Sequence, residues 1–329
     1  MSLTYKGEIV IEYLEKYPNA TTMAIARMLH RDYKVDFPTV ESVRSLVRKH
    51  RNELKNQALK VIASERTPSQ RRDAMRNFKS DYKAIKDFIL PKSCNRGIIF
   101  GDLHVPYHDM KALTTVIEYA IEYKPNFIYI NGDFIDMYQL SSFVADRRLR
   151  DFGGELEKAR ELLLFIKETF DCPIYYKIGN HEFRLERYLR VNAPELLGID
   201  DFELQNLLRF GEMGIIKVDT MQKCMMGKLA VFHGHEFGRG VFSPVNPARG
   251  LYMKAKRSAI VGHHHQTSEH VEKDILNEVT ACWSVGCLCG MSPEYMPVNK
   301  WNHGFATIEI YNNGTYHFEN KKIIDGQIY

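Results

Sequence analysis

The stretch Arg96-Gly97-Ile98-Ile99-Phe100-Gly101-Asp102-Leu103-His104 passes in one step from an apolar run to a polar, glycine-led turn. Ile98–Phe100 is short, β-branched and aromatic, the content of a buried strand. The same pattern recurs downstream. Phe127–Ile130 leads into Gly132-Asp133, Ile174–Ile178 into Gly179-Asn180-His181-Glu182, Leu229–Phe232 into His233-Gly234, and Ala259–Val261 into Gly262-His263-His264-His265. Between the runs, 111–123 and 155–170 have helical periodicity and length. Strands alternating with helices predict an α/β fold with a largely parallel, buried sheet. Each polar turn then falls at the C-terminal end of a strand, where open α/β sheets place their ligands. Near the C-terminus, 306–311 and 315–318 around Asn312-Asn313-Gly314 read as a closing β-hairpin.

The whole chain bounds what this core can be. Its 329 residues suffice for one large domain and a small one. No apolar run reaches the length of a membrane span, and the N-terminus lacks the apolar core of a signal peptide, so a soluble cytoplasmic protein is expected. The six cysteines (94, 172, 224, 282, 287 and 289) include no Cys-x-x-Cys pair. Cys282, Cys287 and Cys289 cluster, and read as small buried thiols of a reduced protein or as a metal or disulfide group. The formal charge of +4 is unevenly spread: residues 1–96 carry 20 Lys/Arg against 11 Asp/Glu, leaving the remainder net acidic.

That basic segment reads as a small all-α, three-helix domain over 1–55, a basic helical connector over 56–93, and then the α/β domain over 94–329. Ile9, Val10, Tyr13, Leu14 and Tyr17 recur at helical spacing before Pro18. Thr21-Thr22 caps a second helix. Pro38 suits the first turn of a third, with Val40, Val43, Leu46 and Val47 inward and Arg44, Arg48, Lys49 and Arg51 outward. Three short helices with a basic third one look like a helix-turn-helix module placing that helix in a major groove. A docking or oligomerisation module with solvated charges is the alternative.

Each polar turn alone is ambiguous, because Gly-Asp is most often only a turn and a lone histidine most often structural. Together they offer two carboxylates, an amide oxygen and several imidazoles, which first-row divalent metals accept. Their order resembles the calcineurin-like metallophosphoesterase superfamily, whose pattern is Asp-x-His, Gly-Asp, Gly-Asn-His-Glu/Asp, His, Gly-His-x-His; the resemblance covers roughly residues 97–310. It implies a β-sandwich flanked by helices (αββα) and two divalent ions, Mn²⁺ first, with Fe, Zn or Ni compatible. By the same resemblance Asp102, His104 and His265 hold one ion. In an extended segment residues i and i+2 project to one side, so Asp102 and His104 can reach it together. Asp133 bridges to the second ion, held by Asn180, His233 and His263. His233 is preferred to His235 because it directly ends its strand. Two ions about 3.5–4 Å apart activate a bridging water. His181 is the candidate general acid, Asp136 orients a ligand imidazole, and Glu182 does similar work.

The substrate is less legible. Phosphoprotein phosphatases of the superfamily carry Gly-Asp-x-Val-Asp-Arg-Gly and Arg-Gly-Asn-His-Glu, and this chain lacks both arginines. Repair nucleases usually follow Asp-x-His with glycine, where this chain has Val105. The catalytic half looks more like prokaryotic and phage-type members. Arg184, Arg187 and Arg190 lie near one helical face and bind a phosphate or nucleic-acid backbone, or else form a salt-bridged surface with Glu182 and Glu186. His108 touches substrate or is a surface histidine. Trp301 is expected to plug a core rather than face a base. The leading expectation is a phosphodiesterase or nuclease acting on nucleic acid or nucleotides, recruited through the basic N-terminal region. The alternative is a phosphomonoesterase whose N-terminal module serves assembly. A non-catalytic DNA-binding regulator would require a missing ligand, and none is missing.

Overall fold

Residues 4–64, 67–76, 78–141, 151–238, 245–293 and 296–329 are described by a computed structural model. They form two compact units divided between Lys83 and Ala84. In the first, α1 (Tyr5–Lys16), α2 (Thr22–Asp32) and α3 (Val40–Ser64) pack around Val10, Ile25, Leu29, Phe37, Val43 and Val47. Thr21 caps α2 as expected, its Oγ1 accepting from Ala24 N at 3.2 Å. The expected boundary at residue 55 falls inside α3, which runs on to Ser64 because nothing between Asn52 and Ser64 is a glycine or proline. A fourth helix, α4, spans Pro68–Met75. The expected boundary at 93 also shifts, since the strand Phe88–Ile89 already pairs within the second unit.

That unit contains thirteen strands among the described residues: β1 (Phe88–Ile89), β2 (Arg96–Phe100), β3 (Phe127–Ile130), β4 (Ile174–Lys177), β5 (Ile216–Val218), β6 (Cys224–Met226), β7 (Leu229–Val231), β8 (Ala259–Val261), β9 (Ser268–Lys273), β10 (Val279–Ser284), β11 (His303–Ile310), β12 (Tyr316–Ile324) and β13 (Gln327–Ile328). They form a seven-stranded sheet, β13-β12-β11-β2-β3-β4-β5, and a six-stranded one, β1-β6-β7-β8-β10-β9. The run β2-β3-β4-β5 is parallel, as the strand–helix alternation predicts. Helices α5 (Met110–Tyr123) and α6 (Phe152–Thr169) connect it.

Alternation along β2 shows why the layers stack. Ile98 and Phe100 face α5 and α6 in one core, while Ile99 faces the other sheet among Tyr129, Tyr175, Leu229, Val231 and Ile260. On the far side of the six-stranded sheet, Ala248 and Leu251 of the helix Pro247–Ala255 pack on Val261 and Cys282. The result is the αββα sandwich. β11 and β12 form the expected hairpin, Ile310 opposite Tyr316. No helix among the described residues is long and apolar enough to cross a membrane.

Candidate metal centre

The polar turns after β2, β3 and β4 of one sheet and after β7 and β8 of the other converge. Asp102, His104, Asp133, His263 and His265 all have left-handed backbone, φ between 50° and 63°. Asp102 and His104 therefore meet by turning, not by projecting from an extended segment. Left-handed backbone disfavours non-glycine residues, on the order of 1–3 kcal/mol each where strained. Cross-loop hydrogen bonds hold it in place: Asp102 N to Gly132 O and His104 N to Asp133 O, both 3.0 Å. Gly179 is needed for close approach, since a Cβ there would lie 2.2 Å from Asp133 Oδ1.

Two groups of donors result, with Asp133 in the second. In the first, His265 Nε2 lies 3.2 Å from both Asp102 Oδ1 and His104 Nε2. In the second, His233 Nε2 lies 3.1 Å from Asp133 Oδ2 and 3.1 Å from Asn180 Oδ1. His233 Nδ1 donates to Asn131 O at 2.7 Å, which points Nε2 into the site. His235 instead meets Thr220 Oγ1 at 2.8 Å. Burial disfavours charge on His233 and His265, yet Asp133 and Asp102 respectively raise each to about 10. His263 is pushed down to about 3 by burial and by the neighbouring His233.

Around these donors, Asp136 Oδ1 accepts from His104 Nδ1 at 2.9 Å and lies 3.0 Å from His181 Nδ1. Burial opposes its charge, but the two imidazoles hold the carboxyl below the usual carboxylate range. His181 Nδ1 also donates to Asp136 O at 2.8 Å, and His181 N donates to Asp133 Oδ1 at 2.8 Å. Glu182 orients backbone rather than an imidazole. It accepts from Asp133 N, Phe134 N and Gly179 N at 2.8–3.0 Å and from Tyr176 OH at 2.7 Å, tying the second motif to the third.

The arginines after this motif do not act as one face. Arg184 reaches inward, donating to Asp136 O at 2.8 Å and lying 3.0 Å from His181 Nε2. Arg187 and Arg190 are exposed, the latter paired with Glu186. Trp301 does not plug the core: it is half-buried, its ring 4.2 Å from that of His265, on the wall of a cavity beside the site. His108 lines the same cavity. In the N-terminal unit Arg48 and Lys49 are exposed and Arg44 pairs with Glu41, but Arg51 is turned inward to Ala20 O and Thr22 Oγ1 at 2.6 and 3.0 Å.

Four further residues support the site; Cys289 belongs to the cysteine cluster noted in the sequence, whereas Glu155, Glu236 and Lys177 were not read as site residues. Cys289 Sγ lies 3.6 Å from His265 Nδ1; it and the other five cysteines are buried and free. Glu155 accepts from Met137 N, one residue past Asp136. Glu236 accepts from His233 N at 3.1 Å and Gly234 N at 2.7 Å. Lys177, fully buried, donates to the carbonyls of Asp219, Thr220 and Gln222 at 2.6–2.9 Å. A glutamate three residues past His233 was the one visible signal.

Residues 96–281, more than half of the chain, match the calcineurin-like phosphoesterase family. The chain belongs to that family. Among relatives of this calcineurin-like phosphoesterase, the gene 54 protein of Mycobacterium phage L5 is 26% identical over 230 residues, spanning 65% of this chain and 89% of that protein. The gene 54 protein of Mycobacterium phage D29 is 26% identical over 177 residues, spanning 52% and 69% respectively. Among solved structures, Vacuolar Protein Sorting 29 from Cryptosporidium parvum aligns with a TM-score of 0.39 and 13% identity, over 71% of this chain and 94% of that one.

A metal-dependent calcineurin-like phosphoesterase needs convergent donors, and the donor chemistry here fits. Asp133, His233 and His263 bring one ligand atom each within 4.8 Å of one another; so do His104, His265 and Cys289, and so do His104, Asp133 and His181. Imidazole nitrogens facing one another beside buried carboxylates are what a cation would reconcile.

Proposed function

We propose that this protein is a dinuclear metal-dependent phosphodiesterase acting on nucleic acid or nucleotides. The observation that carries the diester preference is the cavity beside the site, whose described lining contains no lysine or arginine. A monoester dianion calls for a cationic clamp, whereas a diester carries one charge and two organic arms that need room.

Asp102, His104 and His265 would hold one ion, and Asn180, His233 and His263 the other, with Asp133 serving both. Bound there, two Mn²⁺ ions supply Lewis-acid charge and an activated water. His181 protonates the leaving oxygen. Asp136 fixes its ring through Nδ1, which leaves Nε2 for the transferable proton. Arg184 donates to that same Nε2, so a protonated Nε2 and this contact exclude each other. Substrate binding draws Arg184 onto a phosphate oxygen and frees the acid. The basic N-terminal unit recruits the polyanion through Arg44, Arg48 and Lys49.

Arg184, a cation at the reacting centre, favours the second reading, a phosphomonoesterase. Mn²⁺-dependent turnover of bis-p-nitrophenyl phosphate, p-nitrophenyl phosphate and single- and double-stranded DNA separates the two. Cleavage of the diester and of DNA is expected; strong monoesterase with no diesterase activity would overturn the proposal.

A further inference from the structure

The cavity beside the metal centre has a volume of about 420 Å³ and a wall shared with His104 and Asp136, so an occupant touches the reacting centre. Its described lining is aromatic and uncharged apart from Asp136: Tyr107, Tyr138 and Trp301 with Pro293, and His108 and Ser292 as neutral polar groups. Tyr107 and Tyr138 meet edge to face, ring centroids 6.4 Å apart at 77°. Trp301 is fixed at the other side by its contact with the His265 ring. Tyr107 keeps 49% of its surface exposed, which leaves its ring accessible from the cavity it lines. Burial pushes the His108 imidazole below its ordinary range, and its Nδ1 is buried with no hydrogen-bond partner among the described residues.

We infer that this cavity receives one nucleoside of the substrate, its base stacked among Tyr107, Tyr138 and Trp301 while the attached phosphate reaches the metal centre. The inference rests on the phosphodiesterase reading and adds to it the recognised group. The volume falls in the range of small-ligand sites and accommodates a single nucleoside, not a duplex. Stacking needs flat apolar faces and tolerates any base, so the cavity would select for the presence of a base rather than its identity. An acidic or protein side chain would find no complementary cation in the described lining.

Two diesters sharing one leaving group test this: thymidine 5′-(p-nitrophenyl) phosphate and ethyl p-nitrophenyl phosphate, with Mn²⁺. The wild-type protein should prefer the nucleoside ester in kcat/KM. Tyr138→Ala and Tyr107→Ala should each reduce that preference by about tenfold, through KM with kcat retained, and leave the ethyl ester unchanged. Tyr138→Phe should keep the preference, because the ring and not the hydroxyl stacks. Equal wild-type turnover of the two diesters, or equal losses on both in the alanine variants, overturns the nucleoside site alone. A wild-type protein that cleaves neither diester but does cleave p-nitrophenyl phosphate overturns the diesterase reading as well.

Discussion

Lys177 and Glu236 form an ion pair of 3.0 Å with the lysine side chain fully buried and the glutamate 8% exposed. It crosses the sandwich, from the last residue of β4 in one sheet to the turn after β7 in the other. Burial opposes both charges, yet Lys177 holds the Glu236 carboxyl at about 2. Through Glu236 the lysine thus fixes the backbone that carries His233.

Lys177→Met should destabilise the fold by about 3–5 kcal/mol, because it strands a buried carboxylate and three carbonyl oxygens. Glu236→Gln, which keeps one acceptor for the His233–Gly234 turn, should cost less. Guanidinium denaturation midpoints of the two variants decide it; a wild-type midpoint for Lys177→Met would show the pair to be inert.

Asp133 and His181 should separate metal binding from proton transfer. Asp133→Asn is expected to lower occupancy of both ions, since its carboxylate offers a ligand atom within 4.8 Å of His104 on one side and of His233 and His263 on the other. His181→Ala should keep both ions and lose about 10²–10⁴-fold in turnover. Elemental analysis beside steady-state rates reads both, and normal turnover in His181→Ala would remove the acid role.

Burial pushes the Glu155 carboxyl up from 4.5 to about 7. The folded state therefore favours the protonated form. Its stabilising contribution is complete below about pH 4.5 and is lost as pH rises through 7. Glu155→Gln cannot ionise, so it should match the wild type near pH 5 and exceed it at pH 8, by at most about 3 kcal/mol. Thermal unfolding at the two pH values tests this; an identical offset at both would exclude ionisation as the cause.

Arg51 is committed to Ala20 and Thr22, so Arg51→Ala should loosen the contact between α2 and α3 by about 1–3 kcal/mol. Arg48→Ala should leave stability within about 0.5 kcal/mol and, if the unit binds nucleic acid, reduce the salt slope by about one. Hydrogen exchange over residues 4–64 of the full chain and salt-dependent DNA binding distinguish the two arginines.

Much of the fold was legible because strand and motif alternate in the open: each apolar run of β2, β3, β4, β7 and β8 is followed by its glycine or histidine turn. The residues that misled had the right chemistry in an unreadable setting. Lys177 ends an apolar strand and carries no local sign that three carbonyls await it. Trp301 has a core residue's bulk, and only the position of His265, 36 residues earlier, puts it on a cavity wall. Arg51 shares a helix with exposed basic neighbours and differs only in what α2 presents to it. Helix phase and strand order fix where a side chain starts; its partner comes from another part of the chain.

The left-handed donor residues hang from strands of both sheets, so no contiguous peptide of this protein contains a complete metal site. Ions bound there would act as rivets across the sandwich. A chelator should then do more than stop turnover: it should let the two sheets breathe against each other, and proteases would find the polar turns first.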